Sequence, residues 1–278
     1  IRPKKQASST EISEDGTVQI QYGTTMKTVK ASEADADFIP EVPIVTHEIG
    51  QYETYPNFKE IEKYTGSLKA RNFEVFRERL EEKGLLPLAE DYFKCSGKLA
   101  VQCYKEEMEA VFRSRLLGGF QILDIQDFSG QGTALVGVLD AFMDSKGLIT
   151  DSEWREFCND AVVMARFDSY VLEAVSSFKA HTELCNYRPD LKDGKLICTL
   201  KNGDVIGKVE KNFVAEGNYT DICDVEFTLP QVTKNTKAVL ALEIESTDIR
   251  NHYDLWVIPT VEKTDISGTY IFNEVNDE

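Results

Sequence analysis

The sequence predicts a mixed α/β region followed by an all-β region, which the chain length of 278 residues can accommodate. Apolar residues recur at helix-like spacing as far as about residue 180, and this pattern then ends. From Lys195 onward, short alternating runs replace it, separated by turn signals such as Asn202-Gly203. We place the boundary near Pro189, which divides the chain into residues 1–189 and 190–278.

The first region is predicted to interleave short strands with longer helices. Its predicted strands are Thr17 to Tyr22, Val42 to His47 and Gly118 to Phe128. Its predicted helices are a short acidic one at Ser32 to Asp37, one from Phe58 to Leu80, one from Pro87 to Arg115 interrupted at Ser96-Gly97, and one from Asp151 to about Phe178. The segment Thr150-Asp151-Ser152-Glu153 has the pattern of a capping box and opens the last helix.

The second region is predicted to be a β-sandwich. Five alternating runs read as its strands: Leu196 to Leu200, Val205 to Val209, Val225 to Leu229, Ala238 to Ile244 and Tyr253 to Ile258. Their spacing is typical of a two-sheet all-β domain.

The charge balance argues against a protein that binds nucleic acid. Lys and Arg total 31 against 48 Asp and Glu, a formal net charge of -17, whereas binding to phosphate backbones requires basic surfaces. No run of 18 apolar residues is present, so no membrane-spanning helix is expected. The six cysteines form no C-x-x-C pair and the three histidines lack zinc spacing, so we expect neither a metal nor another cofactor, and the cysteines are expected to be free.

Two predicted strands end in polar residues. The first ends in His47-Glu48, and Asp124, Gln126 and Asp127 lie at the end of the second. In (β/α) barrels, catalytic groups follow the carboxyl ends of the strands. A carboxylate among tyrosines and amides suits sugar chemistry, because rings stack on pyranose faces and polar groups bind hydroxyls. A solvated loop glutamate remains the alternative interpretation of Glu48.

The segment Pro43-Ile44-Val45-Thr46-His47-Glu48-Ile49-Gly50 resembles the seventh barrel strand of glycoside hydrolase family 2, which delivers the nucleophilic glutamate. Gly118-Gly119-Phe120, with the residues after it, resembles the eighth strand of that family. The resemblance implies the C-terminal portion of a (β/α)8 barrel followed by an immunoglobulin-like β-sandwich. It also implies a secreted bacterial enzyme, periplasmic or extracellular, that removes terminal sugars from oligo- or polysaccharides.

The resemblance implies a retaining double displacement with Glu48 as nucleophile, and a second carboxylic acid about 5 Å away as acid and base. The candidate substrate-binding residues are Gln51, Tyr52, Tyr55, Asp124, Gln126 and Asp127. For Tyr52 and Tyr55, packing in the loop is an equal alternative to stacking on sugar. For Asp124 and Asp127, a loop cap is the alternative to a hydroxyl ligand. We expect His47 to point to the opposite side of the strand and pack there.

The family places its acid/base glutamate after an asparagine on the fourth strand, and no Asn-Glu precedes Glu48 in this sequence. Six βα units of about 30 residues each would also be needed before the seventh strand. We therefore expect this chain to be a fragment that carries the nucleophile and works with the N-terminal part of the same enzyme. The alternatives are a non-catalytic carbohydrate-binding module and a structural interaction module.

Overall fold

The computed structural model describes residues 17–22, 25–30, 44–114, 117–128 and 130–260, and these combine helices with several β-sheets. Strands β1 (Thr17–Tyr22) and β2 (Thr25–Lys30) pair antiparallel as a hairpin, which confirms the strand predicted at Thr17 to Tyr22. The short helix predicted at Ser32 to Asp37 lies outside the described residues. Within those residues, no helix is long and apolar enough to cross a membrane.

Strands β3 (Ile44–Ile49) and β4 (Leu117–Ile122) form a parallel pair. A parallel pair needs a long crossover connection, and here it contains a 3-10 helix (Phe58–Lys63), helix α1 (Arg71–Glu82) and helix α2 (Ala89–Arg113). Strands β3 and β4 confirm the two predicted strands, although β4 ends at Ile122 rather than at Phe128. The helix predicted from Phe58 to Leu80 is divided, since residues 64–70 separate the 3-10 helix from α1, whereas α2 confirms the helix predicted from Pro87 to Arg115. Because the two strands run the same way, their carboxyl ends lie at one edge of the pair.

Helix α2 is continuous, so the interruption predicted at Ser96-Gly97 is wrong. The Ser96 hydroxyl donates a hydrogen bond of 2.7 Å to the carbonyl of Tyr92 and therefore stays within the helix. Gly97 is required by packing rather than by a break, since a Cβ atom there would lie 2.3 Å from Leu148 Cδ2. The buried residues follow a helical stripe of every third or fourth position: Phe93, Gly97, Ala100, Tyr104, Met108 and Val111.

The helix predicted from Asp151 to about Phe178 is wrong beyond its first turn. The capping box at Thr150 and Glu153 is present, but helix α3 covers only Asp151–Trp154. Three strands follow instead: β5 (Ala161–Arg166), β6 (Val171–Glu173) and the start of β7 (Ser177–Asn186). The residues from Ala161 to Ala165 are all buried, and a short continuous apolar run of this kind does not by itself distinguish a buried strand from a helix.

The remaining strands, together with β5 to β7, build two sheets. They are β8 (Asp193–Asn202), β9 (Asp204–Val214), β10 (Tyr219–Thr228), β11 (Thr236–Ile244) and β12 (Arg250–Ile258). These strands contain the sequence-predicted runs, apart from Leu229, which follows β10. The sheet orders are β10-β7-β5 and β6-β12-β11-β8-β9, with every pair antiparallel except β6 with β12.

Residues from both sheets share one hydrophobic core, and we call residues 161–260 the two-sheet unit. Strand β7 pairs with β10 on one side and with β5 on the other, so the sheets include strands from before and after residue 189. The boundary predicted near Pro189 therefore falls in the loop between β7 and β8, within this unit. The predicted boundary lies after the start of the unit because the sequence pattern assigned the apolar run at Ala161 to a helix, whereas this run forms strand β5.

A buried polar network joins the end of α2 to the two-sheet unit. The Arg113 guanidinium donates to Glu109 Oε2 at 3.0 Å and to Glu183 Oε2 on β7 at 2.7 Å. From β12, the Tyr253 hydroxyl donates to Glu109 at 2.8 Å, and the Asn251 amide donates to Glu109 at 2.9 Å. All five side chains are almost fully buried, so the helix and both sheets are fixed against one another by charge-assisted hydrogen bonds.

Candidate functional site

Glu48 lies at the carboxyl end of β3 in an unusual backbone conformation. Its φ angle is +56°, in the left-handed region that side chains other than glycine rarely adopt. The flanking Thr46 and Ile49 are buried, whereas the side chains of His47 and Glu48 are 70% and 50% exposed. The left-handed residue breaks the alternation of the strand and turns the Glu48 carboxylate toward solvent.

The predicted packing role of His47 is wrong. Its imidazole is largely exposed, and Nδ1 lies 3.7 Å from Glu48 Oε1. His47 follows the alternation of the strand and lies on the same face as Val45, which is 50% exposed, whereas Glu48 is the residue that departs from the alternation. The two residues thus form an exposed pair at the edge where both parallel strands end.

The segment after β4 lies beside this edge. The Leu123 amide donates to the Ile49 carbonyl at 2.9 Å, which continues the pairing of the two strands. Asp124 follows directly and is half-buried; its Oδ1 accepts the Ile125 amide at 2.6 Å, as a loop cap does. Glu48 therefore lies within the last two residues of β3, and Asp124 lies just beyond the end of β4 at the same edge of the parallel pair.

Tyr104, which the sequence reasoning missed, connects the loops that follow β3 and β4. Gly50 has a φ of +82°, and a Cβ atom there would lie 2.0 Å from Cε1 of the Tyr104 ring. The Tyr104 hydroxyl donates to the Asp124 carbonyl at 3.0 Å and also to the Val136 carbonyl. Burial raises the pKa of this phenol well above its usual range, so it stays a donor. The sequence marks Tyr104 only through its position in the buried stripe of α2.

The candidate residues after Glu48 have different surroundings. Gln51 is exposed. The Tyr52 ring is half-buried and meets Tyr104 edge-on, with centroids 5.7 Å apart. Tyr55 packs edge-on against an aromatic cluster of α1, α2 and the 3-10 helix: Phe58, Phe76 and Tyr92. Burial raises the pKa of Tyr55. Both tyrosine rings therefore make packing contacts between loop and helix.

Gln126 and Asp127 lie deeper than Asp124. Gln126 is half-buried, and its backbone bridges to Leu139 and lies directly against Gly137, where a Cβ atom would come within 2.3 Å. Asp127 is only 3% exposed; its Oδ1 accepts from Lys146 Nζ at 2.6 Å and from the Gly137 amide at 3.0 Å. Burial raises the pKa of Asp127, while Lys146 opposes the shift.

A buried acidic group that the sequence reasoning also missed lies next to Asp127. Glu60, on the 3-10 helix, is 2% exposed, and burial followed by the charge of Asp127 raises its pKa to about 7. Both carboxylates line a small pocket of about 70 Å³. Close by, Lys63 forms ion pairs with Asp140 and, at 2.7 Å, with Asp144. No pattern in the sequence distinguishes Glu60 from the many exposed glutamates.

Comparison with known proteins gives one family match. Residues 176–259, from β7 to β12, match a domain of unknown function (DUF8488). This match covers most of the two-sheet unit and does not include Glu48. No curated protein matches the chain.

Solved structures give partial likenesses at low identity. A β-D-mannosidase from Dictyoglomus thermophilum is 13% identical over 76% of this chain and 27% of its own, with a TM-score of 0.45. A Bacteroides uniformis β-glucuronidase is 11% identical over 82% of this chain and 28% of its own, with a TM-score of 0.25. A CARDB domain from Pyrococcus furiosus, solved with two metal ions, is 10% identical over 36% of this chain and 88% of its own, with a TM-score of 0.29. The matched region thus spans about a quarter of each glycosidase chain.

Proposed function

We propose that this chain carries the nucleophile of a retaining glycosidase related to glycoside hydrolase family 2, with Glu48 in that role. The observation that carries the proposal is the left-handed, half-exposed Glu48 at the carboxyl end of a parallel strand. Backbone strain of this kind is concentrated at functional sites, where it directs a side chain toward a ligand. The motif around Glu48 supplies the chemical class.

The proposal treats β3 and β4 as neighbouring strands of a larger (β/α) barrel, with the crossover through α1 and α2 on its outside. Within the described residues, β3 pairs only with β4, and the exposed Val45 lies on that strand. In barrel enzymes the side chains that follow neighbouring strands converge on one substrate. Glu48 lies at the end of β3 and Asp124 just beyond the end of β4, so the proposal brings both side chains to one substrate.

The proposed reaction proceeds in two steps. Glu48 attacks the anomeric carbon, the bond to the leaving oxygen breaks, and an acid protonates that oxygen; water then releases the sugar with retained configuration. The proposal assigns the acid/base group to the part of the enzyme outside this chain. Gln51, Asp124 and Gln126 are the proposed hydroxyl ligands, while the buried Asp127 and the packed Tyr52 and Tyr55 hold the surrounding loops in place.

The first test replaces Glu48 by Gln in the natural full-length protein and measures turnover of aryl glycosides. We expect kcat to fall at least about a thousandfold, because loss of a covalent nucleophile costs this much or more in other hydrolases. The circular dichroism spectrum should be unchanged, because Gln is nearly isosteric with Glu and the fold should be retained. Glu53→Gln is the matched control, because Glu53 is an exposed glutamate of the same loop and should leave the rate unaltered.

A second measurement identifies the nucleophile directly. A 2-fluoro glycoside that traps the covalent intermediate should modify Glu48, as read by peptide mass spectrometry. Labelling of another residue, or an unchanged rate in the Glu48→Gln protein, would contradict the assignment. Sugar binding without turnover by the unmodified protein would favour the non-catalytic carbohydrate-binding alternative.

A further inference from the structure

The end of β3 contains one residue more than the strand beside it. Thr46 pairs with Phe120 and Ile49 pairs with Ile122, so three steps along β3 match two steps along β4. The extra residue makes this a β-bulge, and the left-handed Glu48 lies within it. Bulges redirect side chains and are concentrated beside functional sites. A left-handed glutamate also costs free energy, so it persists only where the surrounding residues hold the backbone in place.

Gly50 is the residue at which this turn is anchored. It is buried and lies two positions after Glu48, also with a left-handed backbone. Its carbonyl accepts the Tyr52 amide at 3.0 Å, and its own amide donates to Glu107 Oε2 at 2.8 Å. Glu107 belongs to α2, 57 residues further along the chain. A buried amide requires an acceptor, and a carboxylate forms a stronger hydrogen bond than a neutral oxygen does.

Helix α2 supplies a rigid base for this contact. Tyr104 and Glu107 are three positions apart, so they lie on one face of the helix. The Tyr104 ring occupies the space that a Cβ atom of Gly50 would need, and Glu107 binds the amide of the same glycine. The last turn of α2 is itself fixed to the two-sheet unit through the buried hydrogen bonds of Arg113. Gly50 is therefore held by two side chains of an anchored helix.

We propose that Glu107 is a positioning residue for Glu48: its hydrogen bond to the Gly50 amide keeps the bulge in the conformation that turns the Glu48 carboxylate toward solvent. This inference rests on the proposed glycosidase function. Glu107 touches no substrate in this scheme and acts only through the backbone from Glu48 to Gly50. A displacement of about 1 Å in a reacting group can lower a rate about a hundredfold, so loss of this hydrogen bond should slow the attack by Glu48.

Three substitutions separate the reach of the Glu107 side chain from its charge. Glu107→Gln keeps the reach and a carbonyl acceptor but removes the charge. Glu107→Asp keeps the charge but is one methylene shorter, and Glu107→Leu removes the acceptor altogether. If Glu107 holds the Gly50 amide, Gln should preserve the function better than Asp, whereas a role of the negative charge alone would give the opposite order. Gln102→Leu is the control, because Gln102 is an exposed polar residue of the same helix.

The kinetic test measures turnover of aryl glycosides and the rate of trapping by a 2-fluoro glycoside in the natural full-length protein. We expect both kcat and the trapping rate to fall at least about tenfold in Glu107→Leu and Glu107→Asp, because the nucleophile is misplaced. KM should stay within about twofold, because the contacts that bind the sugar are retained. Glu107→Gln should keep kcat within about threefold of the unmodified protein, since a neutral hydrogen bond is weaker but has the same geometry.

Hydrogen exchange of the Gly50 amide reports on the proposed hydrogen bond without any substrate. In the same full-length protein, mass spectrometry with electron-transfer fragmentation resolves exchange at single amides. We expect the Gly50 amide to exchange at least about tenfold faster in Glu107→Leu and Glu107→Asp, because local opening of the turn becomes easier. The amide of Met108, in the buried stripe of α2, should keep its rate in both variants. Gln102→Leu should change neither amide.

Three results would overturn the proposal: unchanged exchange at Gly50 in the Leu and Asp variants, faster exchange with unaltered kcat and trapping, or a greater loss of rate in Glu107→Gln than in Glu107→Asp. The Asp and Gln variants give an answer even where Glu107→Leu fails to fold. If the unmodified protein turns over no glycoside, the proposed function fails, whereas the exchange rate of Gly50 still shows whether Glu107 holds the turn. The two failures are therefore distinguishable.

Discussion

Glu60 is a residue whose protonation changes the energetics of the folded protein. In the unfolded chain its carboxyl group has an ordinary pKa near 4.5, whereas burial and the neighbouring Asp127 raise its pKa in the folded protein to about 7. Between these two values the folded state binds a proton that the unfolded state has released. Glu106 behaves in the same way, since burial and Glu109 raise its pKa to about 7.

This difference predicts that the free energy of unfolding falls as the pH rises from about 4.5 to about 7. The contribution of each group is fully present below the unfolded pKa and is lost as the pH passes through the folded pKa. For Glu60 the loss amounts to roughly 3 kcal/mol, at about 1.4 kcal/mol for each unit of pKa difference. Urea unfolding at a series of pH values measures this loss of the free energy of unfolding.

Glu60→Gln should remove the Glu60 part of this slope, because Gln does not titrate. Glu62→Gln, at an exposed position of the same helix, should leave the slope as it is. A variant at Glu60 that keeps the full pH dependence would show that other groups cause it.

At the residue scale, the sequence allows some site residues to be predicted and leaves others hidden. Glu48 could be singled out because a motif surrounds it, and Asp124 because it directly follows an apolar strand. Tyr104 looks like any core residue of a helical stripe, although its ring packs against Gly50 after β3 and its hydroxyl binds carbonyls of the segment after β4. Glu60 becomes distinctive only through contacts with residues far away in the chain. Such roles depend on tertiary packing, which local patterns do not encode.

At the element scale, α2 connects the parallel strand pair to the two-sheet unit through its last turn. Arg113→Met is expected to lower the free energy of unfolding by about 3–5 kcal/mol, because Glu109 and Glu183 would stay buried without their guanidinium partner. Urea denaturation followed by circular dichroism measures the change.

Lys98→Ala on the same helix provides the comparison, since Lys98 is exposed. Its effect should stay within about 0.5 kcal/mol, as is usual for surface substitutions. A similarly small loss of the free energy of unfolding for Arg113→Met would mean that the buried network contributes little to the stability of the contact between α2 and the two-sheet unit.

The helices and strands differ in how well the sequence predicts them. Helix α2 has a buried stripe over 25 residues, and a long periodic signal of this kind is hard to mistake. Strand β5 has six residues, of which the first five are buried, so it shows no alternation. The capping box before it gave a correct helix start but carried no information about helix length.

At the scale of the whole molecule, the buried network predicts that the helices and sheets unfold together. Trp154 reports on the helical part, where its ring lies 5.8 Å from that of Tyr104, and Trp256 lies on β12. In a Trp256→Phe protein, the fluorescence of Trp154 and the far-UV circular dichroism should give the same urea midpoint, because the parts share one cooperative transition. Two separated midpoints would show that the junction does not couple them.

The left-handed conformation of Glu48 also has a consequence for the evolution of the chain. A glutamate in that conformation costs about 1–2 kcal/mol, while glycine adopts it freely and asparagine tolerates it well. Selection for thermal stability alone would therefore favour replacement of Glu48 by one of these residues. A library of variants recovered only for heat resistance should become enriched in Gly or Asn at position 48, and the glutamate should persist only where activity is selected as well.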